Sequence, residues 1–221
     1  IGGTQDTIER LTDEDRRPKI LALFASCVDS FIGTDHECLP ARERAPFHLN
    51  FPERRKLGDM VRRVTGVAEF MLLNTCNRIE LAAVVSEETA ASGILQRMMR
   101  FDGLQGDEYY VKRGFDAFAH LCQVTAGMDS QIPGEFHVVS QVKEALDEAC
   151  PFGWASSIMR EWTDAAFHVS KDIRHTIGSL LDVEEIEEVA LRFADHASSL
   201  TRGRAALVLG TGVLGRGLVA G

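Results

Sequence analysis

The apolar positions of this chain follow two regimes. Up to about residue 111 they come in short runs separated by turn-forming residues, and beyond Gly114 they recur at three- and four-residue intervals. The first pattern predicts strands mixed with helices, the second helices alone. Residues 1–18 are polar and charged and end at Pro18, which reads as a helical or loosely ordered extension. The next run, KILALFASCVDSFIGTDH, fits one strand or a short helix plus a strand; a strand ending near Gly33 is expected. From 51 to 111 the expected order is a helix, a strand at 67–73, a strand at 79–86, a helix at 87–101 and a short strand near Tyr109 to Val111. That is a small α+β unit.

After Gly114, FDAFAHLCQVTAG sets Phe115, Phe118, Ala119 and Cys122 on one helical face and closes on Gly127, a residue suited to a left-handed cap. FHVVSQVKEALDEA repeats the spacing with Val138, Val142, Ala145, Leu146 and Ala149. A longer helix is predicted from Trp154 to Thr176, burying Ile158, Trp162, Ala165, Val169 and Ile173 and stopping at Gly178. Another opens with Asp182 as N-cap and Glu185 three residues on, and carries Ile186, Val189, Ala190, Phe193 and Ala197. Each of these stripes needs cover, so a helical bundle is expected. The tail then places a short apolar strand, 205–209, directly before Gly210-x-Gly212-x-x-Gly215. In a strand-turn-helix setting such glycines let a pyrophosphate approach backbone amides, although a buried Gly-rich β-α turn has the same spelling.

At 221 residues, 45% hydrophobic and 26% charged, the composition is that of a soluble globular protein with room for one large domain or two smaller ones. No stretch reads as a membrane span or a leader peptide, so the cytoplasm is the expected compartment. Five cysteines without a CxxC or paired Cys/His spacing argue against a disulfide framework and a structural zinc, and no metal is expected. A net charge of -9 argues against indiscriminate nucleic-acid binding. Local contact stays open. In PERRKLGDMVRRV, Arg54, Arg55, Lys56, Arg62 and Arg63 surround apolar Leu57, Met60, Val61 and Val64, which fits a solvated basic helix face or an RNA contact.

The segment LLNTCNRIEL interrupts two apolar runs with Asn74-Thr75-Cys76-Asn77-Arg78, a polar turn that puts a thiol at an edge. Free cysteines are commonly small buried hydrophobes, which suits Cys27, Cys122 and Cys150. Cys76 suits a nucleophile toward an activated acyl group, since even a partly ionised thiol is strongly nucleophilic. Arg78, two residues on in extended chain, points to the same side and can clamp a carboxylate or pair with Glu80 at the surface. His120 falls on the less apolar side of its helix with Asp116 and Gln123, ahead of the turn-rich GMDSQIPGE. It is a candidate for acid-base or orienting duty, or simply a satisfied or solvated histidine.

NTCNRIEL, HLCQVTAGMDSQIPGEFHVVSQVKEA and KDIRHTIGS leading to LVLGTGVLG, in that order, resemble the glutamyl-tRNA reductase family. GTDHECLPARER is similar to the family's opening segment, with Gly33, His36, Pro40 and Arg44 in matching places, and the likeness covers about 33–215. The resemblance implies that Cys76 attacks the carbonyl of glutamyl-tRNA to form a thioester, which NADPH reduces to glutamate-1-semialdehyde, the first step of the five-carbon route to tetrapyrroles. It implies that Thr75 and Arg78 hold the glutamyl moiety, that Ser130, Glu135 and His137 line its pocket, that His120 assists near the thioester, and that Gly210, Gly212 and Gly215 bind the cofactor. As partners it implies glutamyl-tRNA, a second copy through a C-terminal region absent here, and the next enzyme, glutamate-1-semialdehyde aminomutase. No membrane is implied.

The expected fold class is α+β. An N-terminal extension with a possible first strand occupies 1–32, a small ferredoxin-like sheet with helices forms a catalytic subdomain at 33–112, a helical bundle with a connecting helix follows at 113–201, and 202–221 begin a Rossmann-like domain. Two departures from the family pattern stand out: His137 in place of glutamine, and Val213-Leu214 in place of glutamate and methionine. A rival reading follows from them, a catalytically inactive paralogue that binds tRNA or a partner. Whether the cofactor is NAD or NADP is decided by a residue that would lie beyond Gly221.

Overall fold

A computed structural model of the chain describes residues 28–35, 38–85, 88–130 and 134–178, together with residue 192. Four strands form one sheet: β1 (Val28–Asp35), β2 (Val67–Asn74), β3 (Arg78–Val85) and β4 (Tyr110–Arg113). Their order is β2-β3-β1-β4 and every neighbouring pair is antiparallel. The strand expected to end near Gly33 runs on to Asp35, because its last two residues still pair with Ile79 and Arg78 of β3. Between β1 and β2 lie a short helix α1 (Ala41–Arg44), a 3-10 turn at Ala45–Phe47 and the helix α2 (Phe51–Val61); α3 (Glu88–Met98) joins β3 to β4. After β4 come α4 (Phe115–Ala126), α5 (His137–Ala149) and α6 (Ser157–Gly178).

Two helix ends have a clear local cause. Asn50 caps α2 in a capping box with Glu53. Gly127 ends α4 with φ 74°, the left-handed cap its position predicts. α2 and α3 pack on each other and cover one face of the sheet, while α4, α5 and α6 cover the other. β3 is therefore buried at all eight positions, which removes the polar alternation of a half-exposed strand. The three later helices pack on one another, α4 most closely with α6, and also on the sheet, and one hydrophobic cluster runs through strands and helices alike.

Two details of α6 differ from the predicted pattern. Trp154 lies ahead of the helix, in a loop whose carbonyl accepts from Phe70 N–H of edge strand β2 at 2.7 Å, and its ring stacks on Phe70 at 5.4 Å. A Cβ on Gly58 of α2 would come within 2.1 Å of that indole, so the glycine admits the tryptophan. The helix starts instead where Glu69 can cap it. A bulge between Val67 and Glu69 accompanies this buried carboxylate, which accepts from the N–H groups of Ser156 and Met159, both at 2.8 Å. Burial would raise Glu69, but the bond from the Ser156 hydroxyl, together with those backbone bonds at a helix N-terminus, holds it below the usual carboxylate range. The buried stripe is Met159, Trp162, Thr163, Ala166 and Ser170, with Ile158, Ala165, Val169 and Ile173 only half-buried beside it. The predicted helix opening at Asp182 lies outside the described residues.

Candidate active site

Cys76 sits in the turn between β2 and β3, and its side chain is exposed. The turn forms because Thr75 can close it. The Thr75 hydroxyl accepts from the N–H groups of Asn77 and Arg78, each at 3.2 Å, and Thr75 N–H donates to the Arg78 carbonyl at 2.8 Å. Two further groups fix the turn from outside. Buried Arg44 of α1 donates from Nη2 to the Cys76 carbonyl at 3.0 Å and from Nη1 to the Leu39 carbonyl. Asn74 exchanges two bonds with the Leu49 backbone, accepting from its N–H at 3.1 Å and donating to its carbonyl at 2.7 Å. The backbone under the thiol is thus held on both sides, while the side chain opens on a pocket of about 340 Å³ shared with Ala41, Arg44, Ala45, His48, Thr75 and Ile79.

Behind the turn lies a buried charge network. Arg78 and Glu80, two residues apart on β3, point to the face covered by α4. Arg78 donates from Nη1 to Glu80 Oε1 at 3.0 Å and from Nη2 to the Asp129 carbonyl at 2.6 Å. The same Glu80 oxygen accepts from the Tyr110 hydroxyl and lies 2.9 Å from His120 Nε2, and His120 Nδ1 lies 3.3 Å from Asp129 Oδ2. Glu80 Oε2 is buried without a partner among the described residues. Burial alone would raise Glu80, yet the charges of Arg78 and His120, with bonds from His120 and Tyr110, hold it at about 2. Burial alone would lower His120, yet the Glu80 carboxylate and the bonds to Asp129 and Glu80 carry it up to about 9. Both are therefore ionised at neutral pH.

This geometry corrects two expectations. His120 does not share the exposure of Asp116 and Gln123: it is 2% exposed, a satisfied histidine and not a solvated one, because Glu80 and Asp129 engage both ring nitrogens. The Arg78–Glu80 pair is likewise a buried one, with side chains 2% and 0% exposed, and not a surface bridge. Gly33 makes room for it. It pairs with Glu80 across β1 and β3, and a Cβ there would lie 2.6 Å from Glu80 Cγ and 3.0 Å from the Ile79 carbonyl. Gly33→Ala is expected to cost about 1–3 kcal/mol by overpacking, read from the urea unfolding midpoint. An unchanged midpoint would show that β1 and Glu80 do not approach this closely.

The other predicted site residues fall into three groups. Ser130, buried directly after Asp129, donates its N–H to the Gly127 carbonyl at 3.3 Å. Gly134 N–H donates to that same carbonyl at 2.9 Å, so both ends of the 127–135 loop meet there. Glu135, whose backbone lies against Gly127, and His137, the first residue of α5, are half-buried. Gly210, Gly212 and Gly215, like His36 of the opening segment, lie outside the described residues. Sequence reasoning gave no site role to Arg44, His48, Glu80, Tyr110 or Asp129. The one signal available was Arg78 and Glu80 themselves, two charges with strand spacing inside RIELAAVV.

A family model described as "Glutamyl-tRNAGlu reductase, N-terminal domain" matches residues 32–177. The chain is 33% identical over 189 residues to the glutamyl-tRNA reductase of Deinococcus radiodurans, covering 82% of this chain and 50% of that protein. It is 30% identical over 186 residues to glutamyl-tRNA reductase 2 of Koribacter versatilis, covering 82% of this chain and 42% of that protein. The solved glutamyl-tRNA reductase from Methanopyrus kandleri is similar with a TM-score of 0.56 and 26% identity, over 67% of this chain and 34% of that one. The chain spans about half the length of the curated relatives it matches.

Proposed function

The chain belongs to the glutamyl-tRNA reductase family, and from that premise we propose that Cys76 takes the glutamyl group of glutamyl-tRNA as a thioester, opening the reduction to glutamate-1-semialdehyde that begins tetrapyrrole synthesis. The observation that carries this reading is an exposed thiol on a backbone turn fixed by Thr75 and Arg44. An aminoacyl ester is already activated, so a thiolate suffices. The bond from Cys76 Sγ to the acyl carbon forms, the ester C–O bond breaks, the thiol proton is given up, and the departing ribose oxygen takes a proton. Cys76 N–H has no partner among the described residues and serves as a donor to the developing oxyanion.

Arg78 commits two N–H groups to Glu80 and Asp129 and keeps the remainder of a guanidinium's five for the glutamyl carboxylate. Thr75 and Ser130 border that moiety, with Glu135 and His137 completing the pocket. His120 acts as a positioning residue: as a buried cation engaged at both nitrogens, it holds Glu80 and Asp129 in place and does not accept the thiol proton. Gly210, Gly212 and Gly215 are the residues that would hold NADPH, which would supply the hydride when bound. The β-α-β-β-α-β sequence and the order β2-β3-β1-β4 support a ferredoxin-like reading of the sheet unit. The Rossmann-like domain beginning at 202 belongs to this reading through its glycine motif alone. A second copy of the chain and the aminomutase that consumes the aldehyde are the further partners of this reading.

The test is covalent. Glutamyl-tRNA carrying labelled glutamate is mixed with the protein and quenched in acid, which preserves thioesters. Label is expected on the peptide containing Cys76 and released by hydroxylamine. Absence of labelled protein under every condition would shift the assignment to a non-catalytic paralogue that binds RNA.

A further inference from the structure

The cations of α2 and the turn after it carry an inference that rests on glutamyl-tRNA being the substrate. Arg54 is spoken for, with Nε and Nη2 meeting the two Glu148 oxygens at 3.0 and 2.8 Å. Arg55, Lys56, Arg62 and Arg63 are exposed, and none has a carboxylate partner among the described residues. Asp59 lies in the same groove without an ion pair among them. On a chain of net charge -9, four cations without carboxylate partners along α2 and the turn after it mark a local potential opposite to that of the whole.

Aromatic and apolar side chains sit among them. Phe51 is 49% exposed, and its ring lies 6.4 Å from that of Phe152. The Arg54 guanidinium is 5.8 Å from the Phe51 ring and that of Arg55 4.8 Å from the Phe152 ring, while Arg62 Nη1 donates to the Phe152 carbonyl at 3.0 Å. Met60, 40% exposed, shares an open groove of about 360 Å³ with Lys56 and Arg63. Cations interleaved with exposed rings are the surface that binds a single nucleic-acid strand, phosphates on the charges and bases on the rings.

The placement relative to Cys76 sets the direction. The α2 N-terminus is tied to the thiol turn through the Leu49–Asn74 bonds, and β2 then runs back from the far end of α2 to that turn. Phe51 is therefore at the end near Cys76, and Arg62 and Arg63 are at the distant end. Eleven helical residues span roughly 16 Å, over which one strand of a duplex carries about five phosphates. We propose that the Arg55, Lys56, Arg62 and Arg63 face of α2, with Phe51 and Phe152, holds the acceptor strand of the tRNA whose ester reaches Cys76. The unpaired terminal bases stack at Phe51, and the phosphates of the paired stem lie toward Arg63.

Equilibrium binding of uncharged tRNA across a salt series tests this without any acyl chemistry. The charge-reversed pair Lys56→Glu and Arg63→Glu is expected to weaken binding at least tenfold near 100 mM salt. It should also lower the log–log salt slope by about 2, one for each phosphate no longer neutralised. Reversing Arg97 and Arg160, exposed cations of α3 and α6, is expected to leave both quantities unchanged. Phe51→Ala should weaken intact tRNA several-fold, but not tRNA trimmed of its unpaired terminal nucleotides. If the reversed pair does not fold, the single Lys56→Gln and Arg63→Gln variants are each expected to lower the slope by about 1. Wild-type affinity and slope in folded α2 variants would overturn the proposal and leave the face to an acidic protein partner. Its failure is separable from that of the thioester reading. Labelled Cys76 in the wild type with unchanged tRNA binding in the variants removes this surface alone, whereas weakened tRNA binding in the variants with no labelled Cys76 in the wild type removes the acyl transfer alone.

Discussion

Replacing Cys76 by serine is expected to remove the proposed acyl-enzyme and to lower glutamyl transfer from charged tRNA by at least about 10³-fold. The size follows from the chemistry of the nucleophile. A thiol is partly ionised near neutral pH and its thiolate attacks esters readily, whereas a serine hydroxyl needs a base in hydrogen-bond reach. The described residues offer no prearranged one: His120 is a buried cation facing Glu80 and Asp129, and exposed His48 shares the pocket without a bond to Cys76. The fold should not feel the change. The turn is held by Thr75, Arg44 and Asn74 through backbone atoms, and the thiol itself is exposed. Single-turnover transfer with an acid quench, run beside a urea unfolding curve, should show lost chemistry at unchanged stability. Transfer at the wild-type rate by the serine variant would take Cys76 out of the reaction.

What the sequence made legible was local, and what it hid was tertiary. The Cys76 turn could be read because polar residues broke two apolar strands, and α4 could be closed on Gly127 because a left-handed cap is a one-residue requirement. The partners of the turn could not be read, since Arg44 reaches Cys76 across 32 residues and Arg78 reaches Asp129 across 51. His120 was misplaced for the same reason. On its own helical wheel it joins Asp116 and Gln123, and only the sheet brings Glu80 beneath it. The α6 stripe was shifted because apolarity was read from the largest residues. Against α4 and the sheet the helix instead presents Thr163, Ala166 and Ser170 between its larger Met159 and Trp162. Trp154 was drawn into that helix by its apolar character, although its place is over Gly58, on the far side of an edge strand.

Breaking the buried pair at Glu80 carries the largest expected stability effect. Glu80→Gln removes the carboxylate that Arg78 and His120 share, leaving Asp129 beside His120 and the charge of buried Asp35 acting on Arg78, and loss of one partner from such a pair costs about 3–5 kcal/mol. The pH dependence gives the change a signature that a packing defect lacks. His120 stands at about 9 in the folded chain against an ordinary 6.5, so its stabilisation is fully present below pH 6.5 and is lost as pH rises through 9. Glu80 stands at about 2 against 4.5, so its stabilisation is present above pH 4.5 and is lost as pH falls through 2. Either gap corresponds to roughly 3 kcal/mol, and because both largely describe one ion pair they are not summed. Wild-type stability should therefore be level from about pH 4.5 to 6.5 and decline toward 9. Burial pushes the Cys122 thiol up to about 12, so it adds an alkaline decline of its own once pH passes the ordinary thiol value of about 8.5, and that contribution is common to the wild type and the variant. In Glu80→Gln the plateau should drop and its alkaline decline flatten, because the carboxylate that kept His120 protonated is gone. An equally steep alkaline decline in the glutamine variant would show that His120 does not owe its proton to Glu80.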